Sequence, residues 1–204
     1  MKRYAVGLTG GIASGKSFAE AYLSTHFEVV DADLLVHSLY ANDRGLIQAI
    51  KDTFGPQCVR DSVVYRPALK NQVYQSPDKL KLLNQIVHPV VGRHLIGAID
   101  EAREKKIYTL IVIPLLFENH WDSKLDHVLL VGCSPEIQVQ RLTRRDSCSS
   151  QRAMEIIHNQ MDEASRRARC DSLIINDGAK EQFEKKLEYW RQEFFLEEQH
   201  LGGD

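Results

Sequence analysis

The chain has 204 residues, and its 26 Lys and Arg against 28 Asp and Glu give a formal net charge of −2. That length suits one large domain or one domain with inserts, and 43% apolar and 26% charged residues are typical of a globular protein. The near-neutral charge argues against a dedicated nucleic-acid binder, for which a basic domain is expected.

Cysteine usage and hydropathy argue against two further classes. The four cysteines are widely spaced and form no CxxC pair, unlike a disulfide scaffold or a common zinc site. The apolar start at residues 4–8 stops at Thr9-Gly10-Gly11, too early for a secretory signal. The apolar run at residues 108–117 is far shorter than a membrane span. We predict a soluble, cytoplasmic protein that binds neither membranes nor nucleic acids.

Short apolar runs rich in β-branched residues alternate with stretches of helical period. Several runs are apolar on both faces, which is typical of parallel strands covered by helices on each side. The predicted strands are residues 4–9, 27–31, 108–113, 128–132 and 172–176. This alternation predicts an α/β fold with a three-layer, parallel-sheet core.

The segment between the second and third predicted strands has helical patterning and is predicted to be a helical insert. Its apolar residues recur at intervals of three and four, as on buried helix faces: Leu80, Leu83, Ile86, Val87, Val91, Leu95 and Ile99. Near the end of the chain, Phe183, Leu187, Trp190 and Phe194 have the same spacing. A cofactor-binding aromatic stripe is conceivable there, but a helix packed on the sheet is favoured.

A glycine-rich loop after the first predicted strand is the strongest functional signal. Residues 10–17, GGIASGKS, match G-x-x-x-x-G-K-[ST] in full, and a helix-compatible stretch follows. Glycines let backbone amides approach phosphate oxygens, Lys16 adds charge at the β- and γ-phosphates, and Ser17 can ligate Mg²⁺. The predicted nucleoside triphosphate site consists of Gly10, Gly11, Ile12, Ala13, Ser14, Gly15, Lys16, Ser17 and Phe18.

The loop alone leaves open a kinase, a switch GTPase, a mechanical ATPase or a passive nucleotide binder. The sequence contains no Asn-Lys-x-Asp stretch, which a GTPase normally uses to read guanine. ATPase motors usually end a strand with an acidic pair, whereas residues 110–113 lead into Pro114. Another group must therefore hold the metal.

Two aspartates follow the second predicted strand, in the triplet Asp31-Ala32-Asp33. Ligands bind beyond the carboxyl ends of strands in doubly wound sheets, and an extended triplet would put both carboxylates on one side. We predict that Asp31 binds Mg²⁺, directly or through water, and that Asp33 is the general base for an attacking hydroxyl. The alternative is that Asp33 simply caps the following helix.

Residues 141–169 contain seven Arg, no Lys and four acidic residues, so this segment carries +3 and the rest of the chain −5. Arginine recognises phosphate bidentately, and a closing lid brings such charge to the γ-phosphate. We predict that Arg141 and Arg145 are catalytic. A solvated helix face with ion pairs to Glu155 and Glu163 would explain most other arginines. RNA binding is a third interpretation, but the segment lacks interleaved aromatics.

Taken together, these motifs resemble the dephospho-CoA kinase family nearly from end to end. The segments that carry the resemblance are LTGGIASGKS (8–17), VDAD (30–33), HP (88–89), PLLFE (114–118), QVQRLTRRD (138–146), Gln160 and INDG (175–178). Their order and spacing are more specific than the phosphate loop, which many nucleotide-binding proteins share.

The resemblance implies ATP-dependent phosphorylation of the ribose 3′-hydroxyl of dephospho-CoA, the last step of coenzyme A synthesis. It implies one chain, 1–204, with a P-loop NTPase core (1–33, 107–140 and 170–204), a helical CoA sub-domain (34–106) and an Arg-rich lid (141–169). Asn176 would lie near the adenine of ATP. The residues implied to serve the acceptor are Thr9, Asp33, His88, Pro89, Leu116 and Glu118.

The sequence departs from the family pattern at two loop positions. Ala13 stands where the family often has glycine, and Phe18 where a small or β-branched residue is commoner. Backbone amides make the phosphate contacts at both positions, so neither departure threatens the assignment. His88 and Pro89 could instead mark a helix junction. Two rival functions stay open: another small-molecule or nucleoside kinase, and a regulatory ATP-binding module without an acceptor site.

Overall fold

The computed structural model describes residues 2–74 and 76–200. Within these residues the strands are β1 (Ala5–Gly10), β2 (Glu28–Asp31), β3 (Val59–Arg60), β4 (Val63–Val64), β5 (Thr109–Val112), β6 (His127–Gly132) and β7 (Ser172–Ile175). The α-helices are α1 (Lys16–Leu23), α2 (Ala32–Asn42), α3 (Arg44–Phe54), α4 (Arg66–Val73), α5 (Pro77–Lys105), α6 (Pro135–Asp146), α7 (Ser150–His158), α8 (Glu163–Arg167) and α9 (Lys180–His200). Short 3₁₀ turns lie at Pro56–Cys58 and Asp122–Lys124. The chain divides into two units, Met1–Val30 with Ile99–Asp204 and Asp31–Ala98.

The first unit is built on a five-stranded sheet with the order β2-β5-β1-β6-β7. β1 pairs in parallel with β5 and β6, and β6 pairs in parallel with β7. β1 and β6 are buried along their whole length, as expected of central strands covered on both faces. Each predicted strand is present, with bounds that differ by one residue at one or both ends. The predicted α/β fold with a parallel sheet is therefore confirmed.

Alternate residues of the strands form the core beneath α1 and α9. This core contains Val6, Leu8, Leu110, Val112, Leu129, Val131 and Ile174 from the sheet, and Ala19, Leu23, Phe183, Leu187, Trp190 and Phe194 from the helices. Arg3 ties the end of α9 to the start of the sheet through the buried carboxylate of Glu198. The aromatic stripe of α9 is thus a packing face, as favoured from its spacing.

The second unit is mostly helical, but it also contains a hairpin that the helical prediction missed. β3 and β4 pair in antiparallel fashion, with Val59 opposite Val64. The turn residues Asp61 and Ser62 have φ values of 51° and 63°. Such a turn is usually recognisable from an Asn-Gly or Asp-Gly pair. Without that pair, two strands of two residues each leave no periodic signal.

The long helix α5 runs without interruption through Pro89. A junction at His88-Pro89, the alternative to a functional role, is therefore wrong. Proline removes the hydrogen bond to the carbonyl four residues earlier and crowds that carbonyl, and packing of the helix outweighs this cost. The buried face carries Leu83, Val87, Val91, Leu95 and Ile99 as predicted, whereas Leu80 is 49% exposed. In the described part of the chain, no helix is both long and apolar enough to cross a membrane.

Candidate active site

The phosphate loop connects β1 to α1 and has two residues in left-handed backbone conformations. Gly15, at the N-cap of α1, has a φ of 103°, and Ala13 has a φ of 60°. Glycine adopts this region freely, whereas a Cβ atom makes it costly. The first amides of a helix have no intrahelical acceptor and lie at the positive end of its dipole. The loop therefore presents an anion site of the kind that binds phosphates.

Ala13→Gly is expected to raise the free energy of unfolding by about 0.5–1 kcal/mol. An alanine in the left-handed conformation destabilises the folded state by roughly 1–2 kcal/mol, and glycine removes that cost. Glycine also increases the conformational entropy of the unfolded chain, which offsets part of the stabilisation. Urea unfolding measures the change. Ala49→Gly within α3 is the matched control and should lower stability by about 0.5–1 kcal/mol. Equal destabilisation by both variants would contradict strain at Ala13.

Gly11 is explained by close packing, since its φ lies outside the left-handed region. A methyl group at this position would lie 2.6 Å from both Nη1 of Arg166 and Nε2 of Gln138. At Gly10, a methyl group would lie 2.5 Å from the carbonyl oxygen of Val131. Two long polar side chains thus cover the first half of the loop, and any side chain at position 11 would displace them.

Asn176 and Arg141 brace the second half of the loop. The buried Asn176 side chain donates from Nδ2 to the Ser14 carbonyl at 2.7 Å. Arg141 donates from Nη1 to the carbonyls of Ala13 and Ser14 at 3.3 Å, and from Nη2 to the Asn176 carbonyl at 2.9 Å. Both predicted site residues therefore contact the loop through its carbonyls.

Two glutamines bind the backbone of Ile12 in the first half of the loop, one at its carbonyl and the other at its amide. Gln138 Nε2 donates to the Ile12 carbonyl at 2.9 Å, and the Ile12 amide donates to Gln160 Oε1 at 2.9 Å. Gln160 Oε1 also accepts from Arg166 at 3.5 Å. Gln138 and Arg166 are buried residues that we did not single out from the sequence. Gln138 has a usable signal, because it lies one helical turn before Arg141 on α6.

Three residues expected at the acceptor make contacts inside the first unit. The buried Thr9 hydroxyl donates to the Pro114 carbonyl at 3.2 Å. Glu118 accepts from the Met161 amide at 3.3 Å, and so ties the chain after β5 to the start of the α7–α8 connection. Leu116 is fully buried. Contrary to expectation, the Leu116 side chain has no surface to offer a substrate.

The aspartate triplet is not extended, which corrects the geometry we predicted for it. β2 ends at Asp31 and α2 begins at Ala32. Asp31 is the N-cap of this helix and accepts from the Leu34 amide at 2.8 Å, whereas Asp33 lies exposed in the first turn. The capping role considered for Asp33 therefore belongs to Asp31. The change of backbone at Ala32 removes the period-two relation between the carboxylates.

Asp33 lines a groove of about 1020 Å³ within the second unit. Three further polar side chains on its walls are basic: His37 on α2, and Arg66 and Lys70 on α4. Its apolar walls include Val36, Tyr40, Leu69, Val73, Tyr74 and Leu83. Burial raises the pKa of the Tyr40 hydroxyl above its ordinary value. The groove brings one carboxylate together with two cations, Arg66 and Lys70, and with an apolar lining.

His88 and Pro89 do not line that groove. They lie exposed on α5 and border a separate cavity of about 560 Å³ with Pro77, Lys81, Asn84 and Gln85. Leu80 lines both cavities, which explains its exposure. The structure thus does not bring His88 and Pro89 together with Asp33.

The two arginines predicted to be catalytic have different surroundings. Arg145 is exposed and binds both carboxylate oxygens of the adjacent Asp146, at 2.7 and 2.9 Å. Arg141 borders a cavity of about 680 Å³ that α6 forms with Asp177 and Gly178. Asp177, which lines that cavity, directly follows Asn176, the residue expected near adenine, and the cavity is large enough for a base.

The comparisons with known proteins decide the family. A family description for dephospho-CoA kinase matches residues 4–182. The dephospho-CoA kinase of Acinetobacter baylyi is 35% identical over 177 residues, 86% of this chain and 90% of that protein. The chain belongs to the dephospho-CoA kinase family. The family and the enzyme class expected from the sequence motifs are confirmed.

Two solved structures support the fold of this dephospho-CoA kinase family member. Dephospho-CoA kinase from Campylobacter jejuni superposes with a TM-score of 0.75 at 23% identity, over 95% of this chain and 97% of that one. Shikimate kinase from Acinetobacter baumannii, solved with shikimate, gives a TM-score of 0.52 at 12% identity, over 94% and 93%. At these identities the two likenesses show a shared α/β P-loop kinase fold and nothing about substrates.

The loop of this kinase fits a nucleotide and a magnesium ion. The Ser14 hydroxyl is buried and has no hydrogen-bond partner in the described residues, and a phosphate chain on the loop would relieve that deficit. The Ser17 hydroxyl is exposed in the first turn of α1. The described residues hold no group of three His, Cys, Asp or Glu side chains suited to a metal. Mg²⁺ needs no such group, because phosphate oxygens and water usually supply most of its ligands.

Proposed function

We propose that this kinase transfers the γ-phosphoryl group of ATP to the ribose 3′-hydroxyl of dephospho-CoA, giving coenzyme A and ADP. The observation that carries the proposal is the groove in which the Asp33 carboxylate is accompanied by His37, Arg66 and Lys70. An acceptor with a hydroxyl to deprotonate and a diphosphate to neutralise requires this combination of groups.

The phosphate loop is the proposed ATP site. The amides from Ala13 to Phe18 hold the phosphates, with the carbonyls of Ala13 and Ser14 held away from them by Arg141 and Asn176. Lys16 places its charge at the β- and γ-phosphates. The adenine is proposed to occupy the cavity of about 680 Å³ beside Asn176.

Ser17 and Asp31 are the residues proposed to hold Mg²⁺. Ser17 offers its hydroxyl, as in other phosphate loops. The cap to Leu34 uses Oδ1 of Asp31, which leaves Oδ2 to bind the ion directly or through water. When bound, Mg²⁺ neutralises charge on the β- and γ-phosphate oxygens.

Asp33 is the proposed general base. The 3′-hydroxyl gives its proton to the Asp33 carboxylate as its oxygen forms the new bond to the γ-phosphorus. The bond from that phosphorus to the β–γ bridging oxygen breaks, and ADP leaves with the electron pair. Asp33 is exposed in the first turn of α2, so an acceptor can reach it without displacing the core.

The groove walls suggest how the acceptor is held. Arg66 and Lys70 lie one turn apart on α4, a spacing that lets both donate to one diphosphate. Tyr40, Leu69 and Val73 provide apolar surface for the rest of the molecule. Residues 34–106 are proposed to form the acceptor sub-domain, because every residue that lines this groove except Asp33 lies in that range. Residues 141–169 are proposed as the lid, and the cytoplasm as the location.

Arg66→Gln and Lys70→Gln are each expected to raise KM for dephospho-CoA by about tenfold, because loss of a charge-assisted hydrogen bond costs about 1.5 kcal/mol. The KM for ATP should change by less than about twofold. Initial rates with each substrate varied in turn measure both constants. Lys51→Gln, an exposed position on α3, is the matched control in the same unit. A larger change in the ATP constant would place these side chains elsewhere.

The deciding experiment measures transfer from labelled ATP to a panel of hydroxyl acceptors. Transfer to dephospho-CoA, with phosphate at the 3′-position, is the expected result. Transfer to shikimate or ribose but not to dephospho-CoA would favour another small-molecule kinase. ATP binding with no transfer to any acceptor would favour a regulatory module.

A further inference from the structure

Arg166 differs from the other described arginines of residues 141–169 in its burial. It is 6% exposed, whereas its neighbour Arg167 on α8 is exposed. Burying a guanidinium costs several kcal/mol unless strong partners compensate. A buried arginine within a surface helix therefore needs a reason beyond solubility.

The guanidinium of Arg166 lies over the N-terminal end of the phosphate loop. Its Nη1 is 2.6 Å from the position a methyl group on Gly11 would take. The amides near the start of α1 hold the α- and β-phosphates, and Lys16 reaches the β- and γ-phosphates. The opposite end of the loop, at Gly11 and Ile12, is then next to the γ-phosphate. Arg166 is therefore positioned over the end of the loop where transfer takes place.

The present partners of Arg166 hold it loosely. Nη1 is 3.3 Å from Glu163 Oε2, and Nη2 is 3.5 Å from Gln160 Oε1. Charge-assisted hydrogen bonds are normally about 2.7–2.9 Å long. Glu163 also pairs with Arg167 at 3.3 Å, so its charge is shared between two arginines. The guanidinium thus retains capacity to bind a further anion.

The neighbouring arginines are committed to other groups. Arg141 donates to three loop and strand-end carbonyls, and Arg145 is paired with Asp146. Gln160, in contrast, connects Arg166 to the loop, because its Oε1 accepts from the Ile12 amide at 2.9 Å and, at the longer distance of 3.5 Å, from Arg166. The guanidinium of Arg166 therefore lies next to the loop on which the nucleotide would bind.

We infer that Arg166 is a further catalytic residue, which donates to the oxygens of the transferring γ-phosphoryl group, and that Gln160 is its positioning residue. The inference rests on the proposed function. As the bond to ADP breaks, charge is spread over the three equatorial oxygens of the phosphoryl group. A planar guanidinium can donate to two of them at once, which an ammonium cannot.

Arg166→Gln is expected to lower kcat for dephospho-CoA phosphorylation by about 100-fold, the scale of one lost transition-state donor. ATP affinity should fall about tenfold while ADP affinity stays within about twofold, because ADP lacks the γ-phosphate. Calorimetric titration of ATP and ADP, each with Mg²⁺, measures the affinities. Arg167→Gln is the matched control, since it removes the exposed partner of the same Glu163 and should change neither ligand's affinity nor kcat.

Equal loss of ATP and ADP affinity, or no loss of either, would overturn the inference and leave Arg166 a structural brace. Arg166→Lys keeps a buried charge near Glu163 and so protects the test if the glutamine variant does not fold. The lysine variant should also lose affinity for ATP and not for ADP, but by a smaller factor than the glutamine variant. If its affinities for ATP and ADP changed by the same factor relative to the wild type, the inference would again be contradicted. The titrations need no acceptor, so a wild-type enzyme that does not use dephospho-CoA would refute the proposed function separately.

Discussion

Asp33→Asn is expected to lower kcat for transfer to dephospho-CoA by about 1,000-fold, within the range of about 10²–10⁴ that general-base catalysis contributes. Asparagine keeps the size and shape of the side chain but cannot accept the proton of the 3′-hydroxyl. ATP affinity should stay within about twofold, because the donor site is built from the loop between β1 and α1. Single-turnover rates and ATP titration measure the two quantities.

The matched control is Asp43→Asn, which removes the same charge at the start of another helix of the second unit. Asp43 caps α3 by accepting from the Leu46 amide, and asparagine caps equally well. This variant should turn over like the wild type. Thermal unfolding of Asp33→Asn should shift little, since a first-turn carboxylate adds only about 0.3–1 kcal/mol to a helix. Near-normal turnover of Asp33→Asn would remove the residue from the base role.

Lys16→Ala is expected to reduce kcat by about 10²–10³-fold, the effect of removing one preorganised group that stabilises transition-state charge. Lys16 is the first residue of α1, immediately after the left-handed Gly15, so its ammonium emerges at the phosphate end of the helix. The loop amides remain in the variant, and some nucleotide should therefore still bind. Measuring kcat and the dissociation constant of ATP separates the two effects.

Lys185→Ala, an exposed lysine on α9, is the control for loss of a positive charge in the same unit. It should leave kcat unchanged. If Lys16→Ala lost ATP affinity but kept kcat at saturating ATP, Lys16 would stabilise bound ATP and the transition state equally and would not contribute to catalysis of the transfer step. In that case the charge on the phosphoryl group would have to be met by the arginines and the metal alone.

Much of the proposed donor site has signals that are local in the sequence. The glycines and Gly15-Lys16-Ser17 lie within eight residues, and the strand before them is an unbroken apolar run. Arg166 was not predictable in the same way. It is one of three arginines within four positions, and its burial follows from contact with Gly11, more than 150 residues earlier. Sequence shows how many arginines are present but not which one the fold buries.

The aspartate triplet shows a second kind of limit. The residue types around Asp31 and Asp33 allow both an extended chain and a helix start, and aspartate favours the cap of a helix. The choice is made by where β2 ends, and strand ends are set by pairing with a neighbour far along the chain. The groove could not be predicted from the sequence either, because Asp33, Arg66 and Leu83 come together only when α2, α4 and α5 pack.

The strand order also bears on how the protein is made on the ribosome. β1 is synthesised before both of its neighbours in the sheet, β5 and β6, which begin at Thr109 and His127. The unit Asp31–Ala98 is continuous, so its contacts are available while the rest of the chain is still being synthesised. Contacts between distant parts of a chain form slowly, because their loops must close first. The nascent chain can therefore form the groove lined by Asp33 before β1, the strand that leads into the phosphate loop, has either of its neighbours.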